Sequence, residues 1–405
     1  MTEDPQQQKK CAKCGACTSV CPVAAITGRE SHTPRGKLHL FSLGHDFSSP
    51  YYADLLAKCL QCRACDRICP RDLQPSRQIR AARRAQKGSL EPGRRKKQLV
   101  RGLLRHPKAG KLAGHTVQRL HDILPAASGL MGRLDLLLPQ LQTPSPLAHL
   151  PEPDNKQLPP LTYYPGCLAS HLAGDIIKAM GLLAAAGGWR LIIPAGLTCC
   201  GLAAYSSGQE DEARSLARRN LEILSESSSS SSGPIITSCA SCFAQLSAWP
   251  DGLFPHKGKY RKMAEDVASR VQECSTFLLE LNLDFQPSSG PQAVYYHDPC
   301  HLHHRKQPIT REPRQLITAA TNTPPLSLSP SCCGQGGLFH LANKDLSRTI
   351  FDNLFKKIMN LEPDCVVTSC SGCLLQWQQG LARHPEEGRC PASHLAVFLA
   401  QQLRY

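Results

Sequence analysis

Residues 11–22 of this chain read CAKCGACTSVCP, and residues 59–70 read CLQCRACDRICP. Each stretch has three cysteines at intervals of three residues, a fourth cysteine four residues later and a proline directly after it. Three thiols at this spacing can surround one metal centre on a single turn of chain, while the fourth reaches a neighbouring centre. The two stretches therefore predict a pair of [4Fe–4S] clusters.

The fourth cysteine of each stretch is expected to serve the cluster of the other stretch, as in bacterial two-cluster ferredoxins, whose spacing the motifs share. The two ligand sets are Cys11, Cys14, Cys17 and Cys69 for one cluster, and Cys59, Cys62, Cys65 and Cys21 for the other. A pair of zinc knuckles is the alternative, although zinc does not demand this spacing twice. The 37 residues between Cys21 and Cys59, which include Pro34-Arg35-Gly36-Lys37, leave room for helices. They favour a helical ferredoxin of the succinate-dehydrogenase iron–sulfur type.

An internal repeat holds most of the remaining cysteines. The first copy begins with Tyr163-Tyr164-Pro165-Gly166-Cys167, and the second begins with the similar segment Tyr295-Tyr296-His297-Asp298-Pro299-Cys300. A Cys-Cys-Gly motif and a Cys-x-x-Cys motif follow in each copy. The three anchors recur after 133, 133 and 131 residues, so the chain contains a duplicated domain. The cysteines of the repeat are Cys167, Cys199, Cys200, Cys239 and Cys242 in the first copy, and Cys300, Cys332, Cys333, Cys370 and Cys373 in the second.

The repeat predicts further metal sites. Five thiols in one copy exceed the four that a tetrahedral zinc ion or an ordinary cubane cluster needs. The adjacent cysteines therefore suggest a bridging ligand or two metal centres. The glycine after each pair, Gly201 or Gly334, is expected to let the backbone pass close to the metal. We predict iron–sulfur clusters in both copies, treated as separate modules, with a duplicated structural zinc domain as the alternative.

Short strand-like segments alternate with helical ones in both copies. The expected strands are Leu161–Tyr164, Arg190–Pro194, Pro234–Thr237, Val294–Tyr296 and Cys365–Thr368, and the expected helices are Ala169–Ala186, Glu210–Leu224 and Leu346–Met359. Such units favour a parallel α/β sheet with ligands at the carboxyl ends of the strands, where the cysteines fall.

The predicted fold class is a multi-domain α+β chain: a helical ferredoxin-type domain followed by two repeated α/β cysteine-rich domains. The predicted boundaries are 1–75 for the two-cluster domain, 76–160 for a basic helical connector that ends in a proline-rich linker, 161–290 for the first cysteine-rich domain and 291–405 for the second.

Composition and charge limit the setting in which the chain works. It has 405 residues, 21 cysteines and a formal net charge of +15. The sequence contains no apolar leader and no run long enough to span a membrane, so we expect a cytoplasmic protein whose thiols bind metal. The basic stretch 94–111 lacks interleaved aromatic residues, which argues against nucleic-acid binding. It is a candidate docking surface for a partner, or for anionic lipid in a peripheral contact with the inner face of the cell membrane.

Several cysteines and histidines lie outside these motifs. Those expected to be buried free thiols are Cys274, Cys365 and Cys390. Those expected to have supporting or surface roles are His297, His301, His303 and His304. No Gly-x-Gly-x-x-Gly motif follows a strand, so the sequence offers no flavin or nicotinamide site. We expect the chain to conduct electrons, with no catalytic residues and no independent activity.

The repeat resembles the cysteine-rich "CCG" domain of heterodisulfide reductase, and the whole chain resembles the iron–sulfur subunit of glycolate oxidase. This resemblance implies an electron-transfer subunit of a glycolate (2-hydroxy-acid) dehydrogenase. Such a subunit takes electrons from an FAD-containing dehydrogenase subunit and passes them to a quinone or another acceptor. Subunits for D-lactate, glycerol-3-phosphate or heterodisulfide chemistry are the alternatives. The complete Cys-x-x-Cys pair in both copies gives weight to the heterodisulfide-type relatives.

The metal content separates the cluster interpretation from the zinc interpretation. Protein purified under anaerobic conditions should contain at least about eight irons per chain from the two ferredoxin motifs, with matching acid-labile sulfide. Elemental analysis and sulfide determination measure both quantities. Stoichiometric zinc with little iron would show that the cysteines build a scaffold.

Overall fold

The computed structural model describes residues 11–43, 49–86, 91–105, 147, 157–227, 233–287, 291–384 and 390–404. Three parts of the sequence lie wholly or mostly outside these ranges. In the proline-rich linker, residues 144–146 and 148–156 lie outside them. The basic residues Lys108 and Lys111 and the serine run 228–232 lie outside them as well.

The N-terminal region is helical, as the sequence predicts. Its helices are α1 (Ala16–Ser19), α2 (Pro22–Thr27), α3 (Pro34–Ser42), α4 (Pro50–Ala57), α5 (Ala64–Ile68), α6 (Pro75–Ala85) and α7 (Arg94–Arg105), with a 3₁₀ turn at Glu30–His32. A proline begins α2, α3, α4 and α6. The missing N–H of proline costs no hydrogen bond at that position, and its fixed φ favours the first helical turn.

The first copy of the repeat is built on a parallel sheet of order β2-β1-β3-β4. The strands are β1 (Pro160–Tyr163), β2 (Arg190–Ile192), β3 (Ile235–Thr237) and β4 (Val271–Glu273). The helices are α8 (Gly166–His171), α9 (Gly174–Ala186), α10 (Leu202–Ser206), α11 (Glu210–Ser227), α12 (Ala240–Leu253), α13 (Lys259–Arg270) and α14 (Cys274–Glu280). Cysteines follow the carboxyl ends of β1 and β3, at the edge where parallel α/β sheets bind ligands.

The second copy repeats this plan with a parallel sheet of order β5-β6-β7. The strands are β5 (Val294–Tyr296), β6 (Cys365–Thr368) and β7 (Ala392–His394). The helices are α15 (Cys300–His303), α16 (Arg311–Thr321), α17 (Phe339–Ala342), α18 (Lys344–Met359), α19 (Ser371–Leu381) and α20 (Leu395–Ala400). A parallel bridge between Tyr295 and Leu326 takes the place that β2 has beside β1 in the first copy.

The predicted strands and helices are present, with two differences. The expected helix Ala169–Ala186 is two helices, because the backbone of Ala173 (φ −136°, ψ 60°) is not helical. The strands β4 and β7 were not expected, because the segments VQE and ASH contain no apolar run from which a strand could be predicted. They become strands because a neighbouring strand of the sheet pairs with them.

The two copies share one hydrophobic core, so the expectation that they are separate modules is wrong. Helix α9 of the first copy packs against α20, the last helix of the second. Two contacts also join the loops that carry the cysteines. The N–H of Ala240 donates to the carbonyl of Ser369 at 2.9 Å, and Nε2 of His394 lies 2.9 Å from the carbonyl oxygen of Ser238. Each copy buries apolar surface of the other, and neither has its core complete alone.

The N-terminal region contacts both copies. Arg83 on α6 donates to the carbonyls of Leu56 and Cys59 at 2.7 Å each and to the carbonyl of Ser206 in the first copy at 2.5 Å. On the second copy, Leu60 packs against Gly336, where a Cβ atom would lie 2.6 Å from the Leu60 side chain. The ferredoxin region is thus fixed against the repeat by hydrogen bonds and by close packing.

The basic helix α7 is less solvated than its sequence indicates. Lys97 pairs with Glu91 at 2.8 Å and Arg101 pairs with Glu212 of the first copy at 3.1 Å, and both basic side chains are buried. These two charges bind the helix to its own chain and are not available to a partner. The exposed part of the basic surface is made by Arg94, Arg95, Lys96 and Arg105.

Removing Arg83 should weaken the contact between the ferredoxin region and the first copy. Arg83→Met removes the donor to the carbonyls of Leu56, Cys59 and Ser206 and should lower the free energy of unfolding by roughly 2–4 kcal/mol. Arg84→Met is the matched control, because Arg84 is exposed and forms a single surface ion pair with Glu210 at 2.9 Å. Thermal unfolding of both variants measures the difference. Equal stability of the two would show that Arg83 does not hold this contact.

Candidate metal centres

The predicted ligands of the first ferredoxin cluster lie around one small cavity. Cys11, Cys14, Cys17 and Cys69 all line it, together with Arg35. Cys14 is exposed, and the other three thiols are partly buried. The fourth cysteine of the second motif has therefore crossed to the first, which is the arrangement that the spacing predicts.

The predicted ligands of the second cluster surround another cavity, further from solvent. Cys21, Cys59, Cys62 and Cys65 line it, together with Lys37. Burial raises the pKa of Cys62 and of Cys65 well above the usual range of a thiol, and neighbouring thiols raise it further. Four thiolates at this place would be unstable without a cation among them, and iron supplies that charge when a cluster is bound. The residues present therefore fit a cluster.

The backbone shows how each motif turns its cysteines inward. Lys13 and Gly15 of the first motif have φ values of 55° and 83°, and Gln61 and Arg63 at the matching positions of the second have 58° and 66°. Left-handed backbone is costly for residues other than glycine and persists where the surroundings require it. Both motifs have it at the same two positions between the first three cysteines, so both wrap around a centre in the same way.

The ten cysteines of the repeat line a single cavity of about 370 Å³ between the two copies. Their side chains form one line of contacts, which runs through Cys167, Cys199, Cys200, Cys242, Cys239, Cys370, Cys373, Cys333, Cys332 and Cys300. The contact between Cys239 and Cys370 crosses from the first copy to the second. The sequence does not predict this junction, because it joins residues of different copies.

Hydrogen bonds between thiols lower the pKa of three cysteines in this line. Bonds from Cys167 and Cys200 hold the pKa of Cys199 well below its usual range, and bonds from Cys300 and Cys333 do the same for Cys332. Hydrogen bonds from Cys242 and from Cys370 of the other copy lower the pKa of Cys239. Adjacent, buried sulfurs of this kind are a donor set for soft or borderline metals, namely iron in clusters or zinc.

The second ferredoxin site lies next to the second copy of the repeat. Cys62 interacts electrostatically with Cys332 and with Cys300. Cys62 and Cys332 also border the same small apolar cluster, in which Leu60 packs with Phe339. The cavities of the three sets of cysteines thus follow one another, from the exposed Cys14 to the junction of the two copies.

Two histidines expected to have supporting or surface roles lie beside these thiols, His297 buried and His301 half-buried. A ring nitrogen of His297 and the sulfurs of Cys333 and Cys373 all lie within 4.8 Å of one another. Burial lowers the pKa of His297 to about 4, so its ring is neutral at neutral pH and able to bind a metal. His301 lines the cavity, and its Nδ1 lies 3.0 Å from the Ser241 hydroxyl. His301 directly follows Cys300 in the sequence, which was the available signal that it lies near the thiols. Its contact with Ser241 of the first copy could not be predicted.

Three glycines with left-handed backbone shape the repeat site. Gly201 and Gly334 have φ values of 86° and 88°, and a Cβ on Gly334 would lie 2.6 Å from the carbonyl oxygen of Ser347. The close neighbour is therefore the following helix. Gly166, whose role was not predicted, has a φ value of 74°. A Cβ atom on this residue would lie 2.7 Å from the sulfur of Cys242, so the glycine leaves room for that thiol.

The cysteines outside the motifs are buried free thiols, in agreement with the expectation. Cys274, Cys365 and Cys390 are 0%, 2% and 7% exposed, and none lines the central cavity. The sulfur of Cys274 donates to the carboxylate of Glu273 at 3.3 Å. Their role is packing.

Comparison with protein families matches both parts of the chain. A 4Fe-4S dicluster domain matches residues 7–73, and a cysteine-rich domain, CCG, matches twice, at residues 161–247 and 294–378. Together these matches cover more than half of the chain, and the two CCG matches fall on the two parallel sheets.

A curated relative matches the whole layout. The probable glycolate oxidase iron–sulfur subunit of Bacillus subtilis (strain 168) is 26% identical over 98% of this chain and 94% of its own length. The chain belongs to the 4Fe-4S dicluster and CCG cysteine-rich domain families, and it resembles the glycolate oxidase iron–sulfur subunit. Lactate utilization protein A 2 of Bacillus cereus (strain AH820) is 27% identical over 58% of this chain and 96% of its own. This family member is therefore an iron–sulfur electron-transfer protein, and the resemblance inferred from the cysteine motifs is confirmed.

The crossed ligand sets can be tested with single substitutions. Cys69→Ser should alter the cluster of Cys11, Cys14 and Cys17, and Cys21→Ser should alter the cluster of Cys59, Cys62 and Cys65, because each thiol lies in the other motif's cavity. EPR spectra of the two reduced variants distinguish the clusters. A change confined to the cluster of the substituted residue's own motif would contradict the crossed assignment.

Proposed function

We propose that this protein is the iron–sulfur subunit of a glycolate (2-hydroxy-acid) dehydrogenase complex. Clusters bound by the cysteine sets described above would supply one-electron redox chemistry. The polypeptide holds these sets in sequence, shields the inner ones from water and contributes no group that takes a hydride from substrate. An FAD-containing dehydrogenase subunit would oxidise the hydroxy acid, and a quinone or another acceptor would receive the electrons.

The observation that carries the proposal is the succession of cysteine sets. The outer set, which contains the exposed Cys14, is followed by the inner set, in which Cys62 adjoins Cys332. The line of thiols then continues through Cys370 to Cys239. Electron transfer between centres needs short separations and little reorganisation, and burial among packed side chains provides both. A structural scaffold would not need its sites to lie side by side.

The name of the relative that matches the full chain favours glycolate as the substrate of the complex. The partial match to a lactate utilization protein keeps D-lactate as the next candidate, ahead of glycerol-3-phosphate. Within the described ranges, no helix has the length and hydrophobicity needed to cross a membrane. We propose a cytoplasmic location. A peripheral membrane contact would use the exposed residues of α7, such as Leu99, which is 56% exposed.

Activity should depend on a flavoprotein partner. The purified chain alone should contain no flavin and should not reduce a dye with glycolate or D-lactate, because no flavin-binding motif is present. Co-expression with a flavoprotein subunit of a 2-hydroxy-acid dehydrogenase should restore dye reduction. Robust oxidation of either acid by the isolated chain would contradict the proposal.

A matched pair of variants tests whether the repeat belongs to the electron route. In the reconstituted complex, Cys370→Ser should lower reduction of the natural acceptor at least tenfold, because Cys370 links the two copies. Cys365→Ser, another buried thiol on the same strand–loop segment but outside the cavity, should leave it within about twofold. Equal effects of both would remove the repeat from the route.

A second candidate function is disulfide reduction at the repeat. It is favoured by the cavity of about 370 Å³, which is bordered by all ten thiols and otherwise largely by apolar side chains. Two electrons and two protons would convert a disulfide substrate into two thiols. Turnover of a disulfide by the chain with reduced viologen as the electron donor, without a flavoprotein, would favour this function over the first.

A further inference from the structure

One cation in the N-terminal region is buried beside the second ferredoxin site and has no part in the functions described so far. Lys37 on α3 is 1% exposed and lines the cavity of Cys21, Cys59, Cys62 and Cys65. Its Nζ donates a hydrogen bond to the carbonyl oxygen of His32. An ammonium group is rarely buried unless an opposite charge accompanies it. The thiolates of Cys21, Cys59, Cys62 and Cys65 supply that opposite charge when a cluster is bound.

The other cation of the same segment has a different environment. Arg35 lines the cavity of Cys11, Cys14, Cys17 and Cys69. Its guanidinium forms two bonds to Glu30, at 2.8 and 2.9 Å, and its side chain is 31% exposed. Its charge is therefore compensated by Glu30 and screened by water. Each cluster site therefore has a cation from α3, but only the charge of Lys37 at the inner site is shielded from water.

The local structure explains how one short segment serves both sites. Thr33 caps α3 by accepting from the N–H of Gly36 at 2.8 Å, and Pro34 occupies the first turn. Residues two apart on a helix point to opposite sides, so Arg35 and Lys37 face different cavities. Gly36 lies against the 3₁₀ turn, where a Cβ would be 2.0 Å from the carbonyl oxygen of Glu30. The glycine lets the helix approach closely enough for Lys37 to be enclosed.

Other titratable groups also lie in or near the inner cavity. Lys58 lines it but forms an ion pair with Asp54 at 2.6 Å. Arg83 donates to the carbonyls of Leu56 and Cys59, and Arg63 and His32 also line the cavity. Among these groups, Lys37 combines nearly complete burial with a position at the thiols.

We propose that Lys37 is a positioning residue that raises the reduction potential of the inner cluster relative to the outer one. A buried positive charge stabilises the reduced cluster, which carries one more electron, and acts strongly because little water screens it. One electron would then leave the outer cluster, which becomes oxidised, and enter the inner cluster, which becomes reduced, next to the second copy of the repeat. This inference rests on the proposed role in electron transfer.

The test measures the midpoint potentials of the two clusters in the full-length chain. EPR-monitored titrations with dithionite are compared for the wild type, Lys37→Met and the control Lys58→Met, and the signals are assigned from Cys14→Ser and Cys62→Ser. Lys37→Met should shift the inner cluster to a more negative potential and leave the outer cluster unchanged. Lys58→Met should shift it less, because removing Lys58 also releases the charge of Asp54.

Each outcome decides the proposal. An unchanged inner potential in an iron-loaded Lys37→Met protein overturns it, and so does an equal shift in Lys58→Met. If Lys37→Met loses the inner cluster, Lys37→Arg is measured: iron content and a potential near those of the wild type support the role of the charge, and loss of iron there as well overturns it. A wild-type protein without clusters would instead defeat the proposed function itself.

Discussion

Repulsion between thiolates is the constraint on which the rest of this structure depends. Cysteines that touch as closely as Cys333 and Cys373, whose sulfurs are 3.5 Å apart, cannot all be deprotonated in a buried site without a cation. The fold nevertheless brings eight cysteines into two small sets and ten more into one continuous line. A bound metal relieves this repulsion between deprotonated thiols, so we expect cluster assembly and completion of the fold to be coupled. The same constraint gives a reason for burying Lys37 where it lies.

The two copies of the repeat have the same plan but different surroundings. In both, cysteines follow the carboxyl ends of parallel strands, and a glycine with positive φ follows the adjacent pair. The second copy alone has His297 beside its thiols. At the matching position of the first copy, Tyr164 donates to the carbonyl oxygen of Thr198 at 2.5 Å. The ferredoxin region also places its inner cysteines next to the second copy. Duplication thus supplied two similar sites, and packing made them unequal.

Much of the fold could be predicted from the sequence because its signals are local or periodic. The spacing of Cys11, Cys14 and Cys17 needs only one turn of chain, and the repeat offset identifies the duplication. The segments that were missed, β4 and β7, are three residues long and become strands by pairing at a sheet edge. The basic stretch is less exposed than its composition predicts, because Lys97 and Arg101 form ion pairs with Glu91 and Glu212.

The sequence by itself determined which cysteines form sets, the class of metal centre they favour and the family that the chain resembles, because these depend on the spacing within short motifs and on the offset between the repeats. Tertiary structure alone decided the order of the sets, the contact of Cys239 with Cys370, the place of His301 beside Ser241 and the enclosure of Lys37. Several of these contacts join residues far apart along the chain, such as Ser241 and His301, which are 60 positions apart. The way in which whole helices and sheets bury their apolar faces decides which distant surfaces meet. A local sequence pattern does not predict that packing.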